Sequence, residues 1–202
     1  MSGLLELDAQ LLVLLNQELT TAWLDAAMPV ITDFDYWRIP VILGLLIVLA
    51  RGSTETRFGV LFAILAVVAA DQISSAGIKP IFDRERPFHV IEGTRKLIDA
   101  HASSFPSSHA ANTFAAGTFL ALRFRRWWPI LLIPLVVSYS RVYVGAHYPL
   151  DVLAGAGLGA GIGFAFAALE RGSRLRLEDF VARRRRGEPA PGDDAPEPPR
   201  ED

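Results

Sequence analysis

Three short stretches of the chain concentrate side chains able to grip a small anion. In SRVYVGAHYPLD, Asp151 follows His147 by four residues. That is one helical turn, close enough for the carboxylate to accept a ring N–H, fix the imidazole tautomer and favour its positive charge. Arg141 lies six residues before His147. In SSFPSSHAAN, Pro106 precedes Ser107, Ser108 and His109. A serine capping a helix start leaves the next backbone N–H groups pointing outward, and with the helix dipole they form an anion site. KPIFDRERP supplies Lys79, Arg84, Arg86 and Pro87. Lys79, Arg86 and Arg141 are three cations that can surround a dianion, since guanidinium forks match phosphate oxygens.

Such scattered groups need a frame to bring them together. The chain has 202 residues, 51% hydrophobic and 21% charged, and residues 171–202 hold few of the large apolar side chains. What remains is too apolar for a small soluble domain, since ordinary soluble chains average roughly 45–50% apolar and 25% charged. A bilayer core of about 30 Å takes roughly 20 apolar residues as a helix. Residues 58–78, 107–122, 128–144 and 150–169 approach that length. Residues 36–50 form a shorter fifth, with Tyr36 and Trp37 as interfacial anchors and Arg38 able to snorkel. The pattern predicts an all-α, polytopic membrane helix bundle of about five transmembrane helices. Residues 1–35 read as N-terminal interfacial helices interrupted by acids, with a sixth span there as the alternative. Residues 36–171 form the transmembrane core. Residues 172–202, Arg-rich and then Pro- and acid-rich, read as a disordered tail, with Arg183, Arg184, Arg185 and Arg186 suited to anionic lipid.

The positive-inside rule sets the orientation. Arg51 and Arg57, then Arg123, Arg125 and Arg126, then Arg171, Arg174 and Arg176 fall on one side of five spans, which makes that side and the tail cytoplasmic. Residues 1–36 contain six acids (Glu6, Asp8, Glu18, Asp25, Asp33 and Asp35) and neither Lys nor Arg, which suits an external N-terminus. The loop 79–106 breaks the rule with Lys79, Arg84, Arg86, Arg95 and Lys96, and a phosphate-binding role accounts for that. At 28 residues it is also far longer than most connections, as functional loops often are. No signal-peptide pattern is present. A net charge of −2 argues against a general nucleic-acid binder. The absence of cysteine excludes disulfides, thiolate metal sites and a cysteine nucleophile.

Several residues have plainer readings. Arg84 pairs in solvent with its neighbours Asp83 and Glu85. Asp71, costly inside a span, hydrogen-bonds Ser75 or nearby backbone. His89 and His101 are structural. Gly155, Gly159 and Gly163, with Gly157 and Gly161 as a second set, allow close helix packing inside one bundle.

Taken together, the three motifs resemble the type 2 phosphatidic acid phosphatase family, which also includes vanadium haloperoxidases and glucose-6-phosphatase. Its signature is Lys, six residues, Arg-Pro; then Pro-Ser-Gly-His; then Ser-Arg, five residues, His, three residues, Asp. Lys79 and Arg86-Pro87 match the first part, and Ser140-Arg141, His147 and Asp151 match the third. Pro106-Ser107-Ser108-His109 matches the second, with Ser108 in place of glycine. The resemblance covers roughly residues 36–170. It implies a phosphohydrolase that needs no metal or other cofactor and works through a phosphohistidine. By position, His147 is similar to the nucleophile, Asp151 to the acid that orients it, and His109 to the general acid. Lys79, Arg86, Ser107, Ser108 and Arg141 are similar to the phosphate cradle. A helix start suits an ordinary residue, so Ser108 can replace the glycine.

The expected substrate is a lipid phosphate or diphosphate held among membrane lipids. Small bacterial members resembling this chain act on undecaprenyl pyrophosphate, favoured here, or on phosphatidylglycerol phosphate or phosphatidic acid. A haloperoxidase does not fit, because those members are soluble. The competing readings are a lipid phosphotransferase and a non-catalytic phospholipid-binding or transport protein. The sequence points to no nucleic acid and no obligate protein partner. The expected location is a bacterial inner membrane with the site on the periplasmic side.

Overall fold

The computed structural model describes residues 2–186, and they form helices and connecting loops. Helix α1 (Ser2–Val13) runs into a π-helical turn (Leu14–Glu18), followed by α2 (Ala22–Thr32), α3 (Phe34–Arg51) and α4 (Thr54–Gln72). A second π-helical stretch (Ile73–Ile78) leads to the short α5 (Lys79–Phe82) and α6 (Pro87–Val90). After a long loop come α7 (Ser108–Arg123), a 3₁₀ connection (Arg125–Leu131), α8 (Leu132–Tyr143) and α9 (Pro149–Arg186). The five expected spans thus correspond to α3, α4 with its π extension, α7, α8 and α9.

Local chemistry sets the starts. Thr21 accepts from Leu24 N, Asp33 from Asp35 N, Ser53 from Thr56 N and Ser107 from Ala110 N, so α2, α3, α4 and α7 each open on a side-chain cap. Pro149 opens α9, where its missing N–H is harmless. The stretch before residue 33 is not one continuous helix, because it breaks between Glu18 and Ala22.

Helix α3 buries none of its residues, and Ile39, Ile42, Leu43, Leu46 and Ile47 are each about half exposed or more. A helix this apolar and this uncovered is stable only in hydrocarbon. Two helical runs, Thr54–Val90 and Pro149–Arg186, are long and apolar enough to cross a membrane by length and composition alone. The bundle interior is lean. Ala66, Ala70, Ala111 and Ala115 form a core cluster under Leu158, Ile162 and Phe166. Gly159 shows why α9 needs small residues there, because an added Cβ would lie 2.1 Å from the Ala111 carbonyl oxygen. Gly157 faces open space.

The chain divides into two compact units, one ending at Ala167 and the other beginning at Ala168. In the first, α1 and α2 do more than lie at an interface. Leu12 joins a core with Ala110, Val142, Tyr148 and Val152, and Met28 joins one with Tyr143, Val144 and Ala146. Asp8, Asn16 and Thr32 are almost fully buried, so residues 1–35 are built into the same unit as the core. The second unit corrects the reading of the tail. Residues 172–186 are helical rather than disordered, carried on from the preceding span and supported by Arg174–Glu178 and Arg183–Asp179 ion pairs one turn apart. The remainder of the expected tail, 187–202, lies outside the described residues.

Candidate active site

The loop 79–106 and the α8–α9 turn sit at one end of the bundle, joined where Leu97 N donates to the Val144 carbonyl. Gly145 makes that turn possible. Its φ is +79°, and a Cβ there would stand 2.5 Å from the Arg95 carbonyl oxygen, so only glycine combines this conformation with this approach. The turn delivers His147 to a fully enclosed position, 2% exposed. Asp151, one turn into α9, accepts from Tyr148 N at 2.9 Å, the backbone half of a capping box. The same carboxylate oxygen accepts from the Ser104 hydroxyl. It lies 3.7 Å from His147 Nδ1, just beyond hydrogen-bond length. On the ring's other side, Nε2 lies 3.3 Å from Arg86 Nη1. The ring therefore presents Nε2 to the cations and Nδ1 to the acid. Burial, reinforced by Arg141 and Arg86 against the pull of Asp151, pushes its pKa down to about 3 and keeps it neutral.

Lys79, Arg86, Ser108, His109, Arg141 and His147 line one cavity of about 770 Å³. His109 and His147, 38 residues apart in the chain, thus line one space. Ser107 and Asp151 stand behind it, linked where Ser107 N donates to the Asp151 carbonyl at 2.9 Å. All eight expected site residues thus gather at one place, six on the wall and two in support.

The three cations of the wall share one property. Arg86 donates to the carbonyls of Ala102, Ala146 and His101 at 3.1, 2.8 and 2.7 Å. Arg141 donates to Thr32 Oγ1 at 2.9 Å, and its Nε has no partner. Lys79 donates to the Ser103 carbonyl at 2.8 Å. Among the described residues none of them pairs with a carboxylate. Carbonyls and hydroxyls fix their directions without cancelling their charge. A buried, uncancelled positive charge is costly and creates strong affinity for an anion. Ala102, which takes the Arg86 Nε–H, is a non-glycine residue at φ +62°, a conformation that clusters at functional sites.

Ser108 opens α7 with its side chain turned away from the helix start. Its hydroxyl bonds those of Ser74 and Ser75, at 3.1 and 3.0 Å, on the π-helical stretch. The position has no left-handed backbone, so a glycine is not required. The structure corrects two other readings. Arg84 is not paired in solvent with Asp83 and Glu85; it bonds Asp151 Oδ1 at 2.6 Å and Asp8 Oδ2 at 2.8 Å, with its guanidinium 3.9 Å over the Tyr148 ring. Asp71 accepts from Asn112 Nδ2 at 2.9 Å rather than from Ser75. His101 lends its carbonyl to Arg86 and lines the cavity. Sequence reasoning gave no role at the site to Asp8, Thr32 or Ser104 and the wrong partners to Arg84. Nothing local distinguishes Thr32 or Ser104. Nothing local singles out Asp8 either, since Glu6 and Gln10 flank it on the same helix.

Comparison with known proteins agrees with this geometry. Residues 60–174 match the PAP2 superfamily. The chain is 29% identical to the lipid A 4'-phosphatase of Bacteroides thetaiotaomicron, over 86% of this chain and 81% of that one. It is 34% identical to the undecaprenyl-diphosphatase BcrC of Bacillus subtilis, over 71% of this chain and 73% of that one. Among solved structures it is similar to the transmembrane PAP2-type phosphatidylglycerolphosphate phosphatase of Bacillus subtilis. There the TM-score is 0.66 at 20% identity, covering 85% of this chain and 88% of the other.

Proposed function

The chain belongs to the PAP2 superfamily, and from that premise we propose that it is an integral-membrane phosphatase of lipid phosphates. The observation that carries this reading is the cavity itself, which His109, His147 and three cations without carboxylate partners line together. His147 Nε2 attacks the terminal phosphorus, whose bond to the leaving oxygen (the lipid oxygen of a monoester or the bridging oxygen of a diphosphate) breaks. His109, carrying a proton, delivers it to that oxygen. Asp151 stabilises the positive charge the ring gains. Lys79, Arg86, Arg141 and the backbone N–H groups at the start of α7 hold the three equatorial oxygens, where negative charge develops. Water then attacks the phosphohistidine, giving its proton to His109 as the P–N bond breaks. The cradle supplies the positive charge from its own side chains, so the reaction is expected to proceed in EDTA.

The favoured substrate is undecaprenyl diphosphate, in keeping with the relative from Bacillus subtilis, ahead of phosphatidylglycerol phosphate and phosphatidic acid. The lipid A 4'-phosphatase relative, matched over most of both chains, adds a lipid A phosphate to the range. A released-phosphate panel on the purified protein in EDTA, with His147→Ala beside wild type, tests the reading. It should cover these four lipids and a water-soluble phosphate. Hydrolysis of at least one lipid, lost in the variant, is the expected result. Undiminished hydrolysis by the variant would sink the nucleophile assignment. Binding without turnover by wild type would indicate a lipid-binding protein. Product that forms only with an added alcohol would indicate a phosphotransferase.

The arginine distribution supports a site on the periplasmic face of a bacterial inner membrane, with residues after 172 in the cytoplasm. A periplasmic reporter should be active when fused near residue 95 and silent when fused after residue 172. The reverse pattern would invert the topology.

A further inference from the structure

Asp8 lies in the first helical turns of the chain, 143 residues before Asp151, yet the two carboxylates share one guanidinium. Arg84 Nη1 donates to Asp151 Oδ1 at 2.6 Å and its Nη2 to Asp8 Oδ2 at 2.8 Å. The other oxygen of Asp8 accepts from Leu150 N at 2.8 Å, one residue before Asp151. Asp8 and Asp151 are both almost completely buried. Among the described residues, Asp151 accepts from Arg84 on Oδ1 and from the Ser104 hydroxyl and Tyr148 N on Oδ2. Oδ2, held in this way, is also the oxygen that faces His147 Nδ1 at 3.7 Å.

We propose that Asp8 and Arg84 form a positioning clamp that holds Asp151 against His147, which makes the first helix part of the catalytic machinery. The clamp has a geometric part and an electrostatic part. Geometrically, the guanidinium fork and the Leu150 N–H fix the start of α9 and the rotation of the Asp151 carboxylate together. Electrostatically, Arg84 alone would neutralise Asp151 and deprive the ring of its counter-charge. Asp8 restores it, because two carboxylates and one guanidinium leave one net negative charge beside the imidazole. That charge favours a proton on Nδ1, leaves Nε2 free to attack, and stabilises the ring when it carries a phosphoryl group. A buried ion pair that only pinned α1 to the bundle would be a weak source of stability. This one ends on the residue that faces the nucleophile.

The inference rests on the phosphatase reading above, and the test separates the two. Full-length Asp8→Asn, in detergent, is compared with wild type for kcat and KM on the substrate found by the panel. In parallel, the ring tautomers are read by NMR of protein labelled with ¹⁵N-histidine, which holds only four histidines. Asp8→Asn should lower kcat about tenfold, with KM within about twofold, and should move His147 from the Nδ1–H towards the Nε2–H tautomer. Asp8→Glu, which restores the charge, should recover part of kcat. An unchanged kcat, or a lower kcat with the His147 ring signals unmoved, would overturn the clamp. If Asp8→Asn does not accumulate, Arg84→Lys serves under the same criteria, because an ammonium keeps the charge but cannot fork across two carboxylates. The tautomer measurement needs no turnover. A wild type without phosphatase activity would therefore fail the functional reading and still leave the clamp to be decided by the ring signals.

Discussion

Two sets of cations stand at the same end of this bundle. Lys79, Arg86 and Arg141 line the cavity and are held by carbonyls and a hydroxyl. Arg84 and Arg95 stand around it and are held by carboxylates, Arg84 by Asp8 and Asp151 and Arg95 by Asp25 at 2.6 Å. The residue types are nearly the same, but the partners differ in charge. A carbonyl fixes a guanidinium's direction and leaves its charge available, whereas a carboxylate consumes it. The lesson is that the anion site is marked by cations that no carboxylate pairs with, even though Asp33, Asp35 and Asp99 also line the cavity. The cations whose charge is cancelled hold other groups in place: Arg84 holds Asp8 and Asp151, and Arg95 holds Asp25.

This contrast makes graded predictions. The largest effect belongs to the group at the centre of the unpaired set. His147→Ala should reduce phosphate release at least about 10³-fold, and release within tenfold of wild type would place the nucleophile elsewhere. Next, Arg86→Ala and Arg141→Ala should each cost about 10²–10³-fold in kcat/KM. Their thermal stability should stay level or rise, since each change removes a buried charge that nothing neutralises. A large loss of stability with activity intact would reverse the assignment of the two sets.

The ring of His147 reports the same field. Its folded pKa of about 3 lies well below the ordinary histidine value. Below pH 6.5 the unfolded chain therefore binds a proton that the folded chain refuses. Stability is full above that pH and falls as pH drops towards 3, by up to about 1.4 kcal/mol per pH unit from this group. Denaturant titrations at pH 7 and pH 5 should show a smaller difference in His147→Asn than in wild type, and an equal difference would mean that the ring is not held neutral.

Smaller effects come from a residue whose hydroxyl is already engaged and from one whose charge is already paired. Ser108→Gly should leave phosphate release within about tenfold, some 1.4 kcal/mol, because the hydroxyl is absorbed by Ser74 and Ser75. A collapse would show that this hydroxyl reaches the phosphate. Arg95→Ala should change activity least, within about threefold, with a small drop in melting temperature, since its pair with Asp25 is partly exposed. A loss comparable with that of Arg86→Ala would erase the distinction between the two sets.

Much of the site was legible in the chain because its rules are local. The four-residue step from His147 to Asp151, the serine cap at Ser107 and the proline that opens α9 each depend on neighbours within a turn. Helix-length apolar runs likewise announce a bundle, since a bilayer demands internally bonded backbone. Arg84 was misread for the complementary reason. Its sequence neighbours Asp83 and Glu85 offered plausible partners, and nothing local ranks them below carboxylates 76 and 67 residues away. The end of α9 failed differently, because composition suggested disorder where a helix already nucleated in the span continues through turn-spaced ion pairs.

The sequence by itself determined the helices, their caps and the inventory of reactive groups, because these are set by spacing along the backbone. Only the tertiary structure decided which cations keep their charge. It brought Thr32 to Arg141 across 109 residues and placed Asp8 beside the start of α9 across 142. The physical reason is that an ion's partner is chosen by distance and burial after packing, and chain separation carries no information about either.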